Sequence, residues 1–541
     1  MNYTYRQQYE WVRSFTQRYR VRLSLYFLLE LVGVALSLLF VYWSKIAIDR
    51  ATADFEKEIL PILVLIIVAA LGGVIIRTIS SWIDENTRLK MTIQLQNLLT
   101  KEQMLSSWNS IKKRQTGDLM MRLQEDNRDV VQMIGSAGIS FFVTILKLLA
   151  SLYFLWSMDP ILAAMILIIT PLFLFSKLYF KKMRKLNQEA KAADSAVGNI
   201  IQENLRFRMI IQALGLLPHR DDKLRNEQAR LLQLKMRQIN FNLISNTTVR
   251  ITMNIGYLIA FIWGVYRLNQ HEISFGTMTA FLQLVGRIQN PILSGAAFVP
   301  SLVRFRVSLD RILELFEDKK EIKPKPVKLE SIEKIRFENV SFKYEETNVI
   351  NNLSFEVCVG KPLAILGSSG RGKTTLLRLL LALCTPDSGK ISLEDGINTV
   401  HLLDEKHREN FAFVPQGNSL FTGTIRENIV GSLLVSTEKI ESALELSSAN
   451  FVHDLPQGIH TFIGESGYGL SEGQAQRIAI ARAIIRDTPV WLFDEPTSAL
   501  DEETSARLIK QLLYEGKNKI LIFVTHDLKL AEYCDTSVYL H

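Results

Sequence analysis

Glycines, hydroxyls and a lysine crowd together in Gly367-Ser-Ser-Gly-Arg-Gly-Lys-Thr-Thr375, which lies between the apolar runs Pro362–Leu366 and Leu376–Leu380. The order reads as strand, glycine loop, helix start. Gly367, four residues, then Gly372-Lys373-Thr374 is the spacing of a phosphate-binding loop. Gly367, Gly370 and Gly372 let the backbone take conformations that a Cβ forbids, so that successive N–H groups, those of Ser368, Ser369 and Arg371 among them, converge on one phosphate. The helix starting near Lys373 aims its positive dipole end at that phosphate, with Thr374 and Thr375 in its first turn. In such a loop the lysine reaches the β and γ phosphates and the first hydroxyl, here that of Thr374, ligates Mg²⁺.

A second cluster completes this chemistry. Val490-Trp-Leu-Phe-Asp494-Glu495 reads as a buried strand ending in two acids, at the edge where α/β sheets bind ligands. Asp494 suits a Mg²⁺ partner, and Glu495 suits a base that polarises an attacking water.

These residues need a domain to position them, and 541 residues are too many for one. Apolar residues make up 48% of the chain, yet the last third has the composition of a soluble enzyme. The apolar excess therefore sits in the first part. The net charge of +8 comes from basic residues clustered between apolar spans, not along an aromatic-studded face, which argues against nucleic acid as a partner. Cys358, Cys384 and Cys534 lack metal-ligand spacing and read as reduced, packed thiols.

Six apolar stretches, near 21–48, 58–80, 137–157, 160–180, 246–268 and 273–300, approach the length that crosses a bilayer as a helix. Arg13, Arg18, Arg20 and Arg22 precede the first, which places the N-terminus inside. Alternation puts 81–136 and 181–245 inside, and these hold Lys112-Lys-Arg114 and Lys181-Lys182. Both inner segments have helical composition and should extend the membrane helices well into the cytoplasm, each with one break, at Gln115–Asp118 and near Gly215. Residues 1–20 read as an amphipathic elbow helix on the membrane surface. Residues 21–317 are the membrane domain, 318–330 a charged linker containing Pro324 and Pro326, and 331–541 a nucleotide-binding α/β domain.

Polar groups inside the spans are costly and mark partners or wet cavities. Glu30 and Lys147 are the candidate pathway residues, with a structural Glu–Lys pair as the alternative; Arg77 and Arg250, near span ends, read as snorkelling, and Asn254 and Asn290 are further polar positions.

Nearly the whole chain resembles the ATP-binding cassette (ABC) transporters, specifically exporters that fuse six membrane helices to one nucleotide-binding domain. Besides the two clusters above, the resemblance rests on Phe337-Glu-Asn-Val-Ser-Phe-Lys-Tyr344, Val414-Pro-Gln416, Leu470-Ser-Glu-Gly-Gln474, Ser498-Ala-Leu-Asp501 and Val524-Thr-His526. It implies that Tyr344 stacks on adenine, that Gln416 contacts Mg²⁺ and senses the membrane domain, and that Ser471, Gly473 and Gln474 form the signature that meets a γ phosphate. Asp501 then closes the D-loop and His526 is the switch histidine. Gly464-Glu-Ser-Gly467, Thr116-Gly-Asp-Leu119 and Glu203-Asn-Leu205 are similar to coupling segments of the family.

One position departs from the family: Glu472 stands where the signature has its first glycine, and its carboxylate should point away from a triphosphate. The resemblance implies a dimeric type IV exporter architecture, with an α-helical membrane domain and an α/β P-loop domain. Each signature would complete the site of a second copy or of a homologous half-transporter. It further implies ATP and Mg²⁺ as cofactors, membrane lipids as surroundings, a bacterial inner membrane, and catalysis by Glu495, His526 and Lys373. ATP-driven export of an amphipathic molecule, lipid or peptide leads; an ATP-gated regulatory or channel-like protein and an importer on the same fold stay open.

Overall fold

The computed structural model describes all residues except 1–2, 54–58, 109, 111–115, 170–176, 318–324, 345–346, 369, 465–468 and 541. The chain divides into two units: Met1–Glu102 with Thr116–Glu317, and Gln103–Gln115 with Asp318–His541.

The first unit is helical. After α1 (Tyr5–Thr16) come α2 (Arg20–Ala53), α3 (Leu60–Met104), α4 (Gly138–Met158), α5 (Pro160–Ile169), α6 (Lys177–Arg206), α7 (Leu217–Asn269) and α8 (Phe275–Phe316). The helices outrun the apolar stretches that seed them: α3 has 45 residues and α7 has 53, so both continue far beyond a bilayer's thickness. Among the described residues, four helices are long and apolar enough to cross a membrane, and only 11% of the most apolar window of α3 is buried inside the protein. Leu63, Val64, Ile67, Val68, Leu71 and Ile75 are all exposed, a surface of the kind that meets lipid or another apolar face. The fourth expected span runs into 170–176, outside the described residues. The sixth lies on α8, which is long but carries Gln283, Arg287, Gln289 and Asn290.

Local chemistry sets the corners. Asp159 separates α4 from α5, and its Oδ1 accepts the Ile161 and Leu162 amides at 3.0 Å each, while Pro160 supplies the preset φ of a first helical residue. The Trp263 indole donates to Asp159 Oδ2 at 2.9 Å, tying that corner to α7. α2 and α8 touch at Gly276: its amide donates to Asp49 Oδ1 at 2.8 Å, and a Cβ there would lie 2.3 Å from the Lys45 carbonyl.

Between Thr116 and Ala137 the chain is helical with two π-turns, Arg122–Asp126 and Met133–Ala137. Asp118 accepts from Arg122 Nε at 2.8 Å and from Arg311 Nη2 at 2.6 Å, which fastens the Thr116–Leu119 motif to α8. At the second break, Arg208–Ala213 forms a short helix, Gly215 reverses the chain at φ +62°, and Pro218 starts α7. Arg220 bridges back to Asn204 Oδ1 at 2.7 Å and Glu203 Oε2 at 2.8 Å. α1 turns Trp11 and Phe15 against the protein, stacked 5.3 Å apart over Phe316, so its aromatic face is occupied by the unit itself.

The second unit is α/β. An antiparallel sheet runs β2-β1-β4-β5, from β1 (Ile332–Tyr344), β2 (Thr347–Cys358), β4 (Ser388–Asp395) and β5 (Val400–Leu402). The main sheet is parallel, in the order β11-β3-β10-β9-β6, from β3 (Leu363–Leu366), β6 (Phe411–Val414), β9 (Val490–Asp494), β10 (Ile520–Val524) and β11 (Thr536–Tyr539); β7 (Gly423–Thr424) and β8 (Phe462–Ile463) pair apart from it. Every residue of β3, β9 and β10 is buried, as expected for strands covered on both faces. Three further helices matter below: α9 (Lys373–Leu380), α10 (Glu472–Arg486) and α11 (Glu502–Glu515).

Candidate nucleotide site and membrane cavity

β3 and β9 are neighbours of β10 in the main sheet, so the glycine loop after β3 and the acids ending β9 emerge at the same edge. They face a cavity of about 700 Å³ lined by Tyr344, Gly370, Gly372, Lys373, Thr374, Thr375, Gln416, Asp494, Glu495 and His526. Gly370 and Gly372 take φ of +84° and +89°, and a Cβ on Gly372 would lie 2.9 Å from Val349 Cγ1. Lys373 Nζ donates to the Gly367 carbonyl at 2.6 Å. The Arg371 amide closes the loop onto the Ser368 carbonyl at 3.4 Å; Ser369 lies outside the described residues.

Glu495 is held from several sides. Its carboxylate accepts from Gln416 Nε2 at 2.7 Å and meets His526 Nδ1 at 3.0 Å. Its amide donates to the Val524 carbonyl at 2.8 Å, its own carbonyl accepts from Gln476 Nε2 at 2.7 Å, and its backbone sits in the left-handed region at φ +51°. Strain of that kind persists where surroundings over-determine it. Neither Gln476 nor the strained φ was evident from the sequence.

Asp494 is buried, which raises its pKa to about 6; the Glu495 charge pushes the same way, and Lys373 and Arg378 oppose both. Asp494, the Thr374 hydroxyl and the Gln416 amide offer hard oxygen donors around one cavity, which suits Mg²⁺. Among the described residues no group of three or more His, Cys, Asp or Glu could hold a metal alone, so phosphate oxygens would have to complete the shell.

Ser471, Gly473, Gln474 and Asp501 are not among the described residues lining this cavity. Ser471 instead caps α10: its Oγ accepts the Gln474 amide at 3.2 Å, and Gln474 Oε1 accepts the Ser471 amide at 2.9 Å. Asp501 caps α11 by accepting the Thr504 amide at 2.9 Å. Glu472 occupies the first turn of α10, where a negative charge meets the positive helix end, and its Oε1 lies 3.7 Å from where a Cβ on Gly417 would stand. The carboxylate thus turns toward its own domain. Gly473 has no such freedom, because a Cβ there would come within 2.5 Å of the Ala499 carbonyl.

The membrane unit has its own cavity, of about 350 Å³, lined by Glu30, Arg77, Lys147 and Arg287 among apolar residues such as Leu29, Val34 and Phe40. Glu30 Oε1 accepts the Ser80 hydroxyl at 2.6 Å. Arg77 is among the lining residues yet stays exposed, on α3, which continues past it to Met104. Arg287 was missed, although an arginine within an apolar stretch is itself a signal. Arg250, Asn254 and Asn290 are not among the described lining residues.

A transporter driven by a phosphate-cleaving domain is what a lipid-facing helical unit fused to this α/β site defines. Residues 23–292 match the family model of the ABC transporter transmembrane region, and residues 350–498 match a second family model, described as ABC transporter. The chain belongs to the ABC transporters: it is an integral membrane protein that binds nucleotide and couples ATP hydrolysis to export. It is 27% identical over 523 residues to an ATP-dependent lipid A-core flippase of Syntrophus aciditrophicus, covering 94% of this chain and 86% of that protein. It is 28% identical over 431 residues to a putative multidrug export ATP-binding/permease protein, YgaD, of Bacillus subtilis, covering 78% and 74%. Its fold matches a bacterial Atm1-family ABC exporter solved with ATP bound, at TM-score 0.79 and 22% identity, over 96% of this chain and 93% of that one.

Proposed function

We propose that this chain forms a homodimer that exports an amphipathic molecule with an anionic head group, and that two ATP molecules, each between one glycine loop and the partner's signature, drive it. The observation that carries the cargo class is the membrane cavity, whose described lining holds Arg77, Lys147 and Arg287 with one carboxylate, Glu30. Charges away from water need compensation, and an anionic head supplies it while its apolar part meets the surrounding side chains. The names of relatives, a lipid A-core flippase and a multidrug exporter, support an amphipathic cargo.

In the nucleotide site, Tyr344 stacks on the base, Lys373 and the loop amides hold the β and γ phosphates, and Glu495 orients the attacking water. His526 and Gln416 fix the Glu495 carboxylate at 3.0 and 2.7 Å, so the base is positioned before water arrives. Thr374, Gln416 and Asp494 would hold Mg²⁺, which neutralises charge on the phosphate oxygens. Ser471 and Gly473 serve the partner's γ phosphate, which accounts for their absence from the lining of their own cavity. The protein sits in a bacterial plasma membrane with its N-terminus and nucleotide domain in the cytoplasm, in keeping with Arg13, Arg18, Arg20 and Arg22 ahead of the first span. Intact Glu495 and His526 favour pumping over ATP-gated regulation.

Two outcomes follow. Anionic amphiphiles should stimulate hydrolysis by the protein in neutral lipid, cationic ones of equal chain length should not, and the double variant Lys147→Ala/Arg287→Ala should lose the anionic response; stimulation by cationic amphiphiles alone would refute the cargo class. Protons compete with Mg²⁺ for Asp494, whose carboxyl takes them up below about pH 6. Apparent Mg²⁺ affinity for hydrolysis should therefore fall by about tenfold per pH unit below that point and stay level above pH 7. A flat Mg²⁺ requirement between pH 5 and 7 would contradict the assignment of Asp494.

A further inference from the structure

From Gln103, in the last turn of α3, to Gln115 the chain groups with the second unit and not with the helical one. The side chain that carries this association is Trp108, which packs against the core formed by β1, β3, α9 and β10. Over its ring lies Arg378, in the last turn of α9, whose guanidinium stands 5.2 Å from the centre of the indole. The same guanidinium donates from Nη1 to the Tyr344 hydroxyl at 2.9 Å. Tyr344 lines the nucleotide cavity and packs edge-on against Phe342, 4.9 Å away. One arginine therefore touches both the aromatic ring that faces the nucleotide cavity and the tryptophan of the segment that leads back to the membrane helices.

We propose that Arg378 is a positioning residue that links base stacking on Tyr344 to the placement of Trp108. The inference rests on the reading of Tyr344 as the base-stacking residue. A tyrosine free at its hydroxyl can swing about its Cα–Cβ bond, and the Arg378 hydrogen bond removes that freedom. A base stacking on the ring loads the bond from one side, while the indole holds the guanidinium plane from the other. Phosphates alone would not engage this route, because Lys373 and the loop amides that take them lie at the opposite end of α9. Arg378 thus makes the intracellular segment respond to the base, separately from the triphosphate.

The test uses the full chain in lipid and the part of its tryptophan emission that Trp108→Phe removes. Mg-ATP should change that emission, whereas Mg-tripolyphosphate, which has phosphates and no base, should not. Arg378→Gln should abolish the ATP-specific change and raise KM for ATP by about three- to tenfold, the worth of one side-chain hydrogen bond, with tripolyphosphate inhibition unaltered. The unaltered tripolyphosphate inhibition also shows that the variant is folded; were it lost, Arg378→Lys, which keeps the cation without the fork, should retain it and still lose the ATP-specific signal. An equal emission change with tripolyphosphate, or an ATP-specific change that survives Arg378→Gln, overturns the proposal. Tyr344→Ala separates the two levels: if it leaves KM for ATP unchanged, the stacking reading itself fails, and if it raises KM while Arg378→Gln does not, only the role of Arg378 fails.

Discussion

Replacing Glu495 by glutamine should lower the rate of Mg-ATP hydrolysis by at least about 100-fold while leaving ATP binding intact, because general bases contribute 10² to 10⁴. Glutamine has the shape of glutamate and still offers an oxygen to Gln416 Nε2, so the loop geometry around residue 495 survives. What is lost is the negative charge that orients water. The protein should then accumulate with ATP bound and the nucleotide domains closed, seen as retention of labelled ATP after rapid gel filtration. Phosphate release at the wild-type rate would mean that another group activates the water. His526, 3.0 Å from the same carboxylate, would be the first to examine.

The second large effect is at Gly473. Alanine favours a helix over glycine by about 1 kcal/mol, so propensity alone predicts a more stable α10. Space predicts the opposite for function. A Cβ at 473 would lie 2.5 Å from the Ala499 carbonyl and 3.1 Å from Leu500 Cδ2, so either α10 or the Ser498–Asp501 segment must shift. Neither lines the cavity of its own domain, and KM for ATP should change by less than about twofold. The maximal rate should fall by about 100-fold, the penalty of misplacing a group by an ångström. Glu472→Gly is the control: the Glu472 side chain leans toward Gly417, and its removal should alter the maximal rate by less than about threefold. Rates measured at saturating ATP for both variants decide this; equal losses would mean that the signature responds to composition and not to the approach of Ala499.

The nucleotide domain was legible because its chemistry is local. The glycine loop lies within nine residues, and the two acids end a run of apolar residues that can only be a strand covered on both faces, as β9 is. Glu472 stands in the first turn of α10, a place that favours an acid by itself. The membrane cavity was half legible. Glu30 and Lys147 stood out as ionisable groups deep in apolar stretches, whereas Arg287, which lines the same cavity, did not. α3 runs on for 27 residues past Arg77: hydropathy locates where lipid-compatible sequence ends and not where the helix does. Arg378 and Trp108 were illegible for a different reason: 270 residues separate them, and neither has a pattern until the fold brings them together. The π-turns at Arg122 and Met133 likewise come from tertiary packing, with no residue type that announces them.

If hydrolysis at Glu495 moves an anionic amphiphile across the membrane, translocation itself is the quantity to follow. The protein would be reconstituted alone in vesicles with its nucleotide domains outward, and a fluorescent anionic lipid placed in the outer leaflet would be followed by quenching after Mg-ATP addition. Mg-ATP-dependent movement of the lipid to the inner leaflet by the wild type, absent in Glu495→Gln and absent with a cationic lipid, is the predicted result. Hydrolysis that Glu495→Gln abolishes, accompanied by no directional movement of any amphiphile tested, would contradict export and point to ATP-gated regulation.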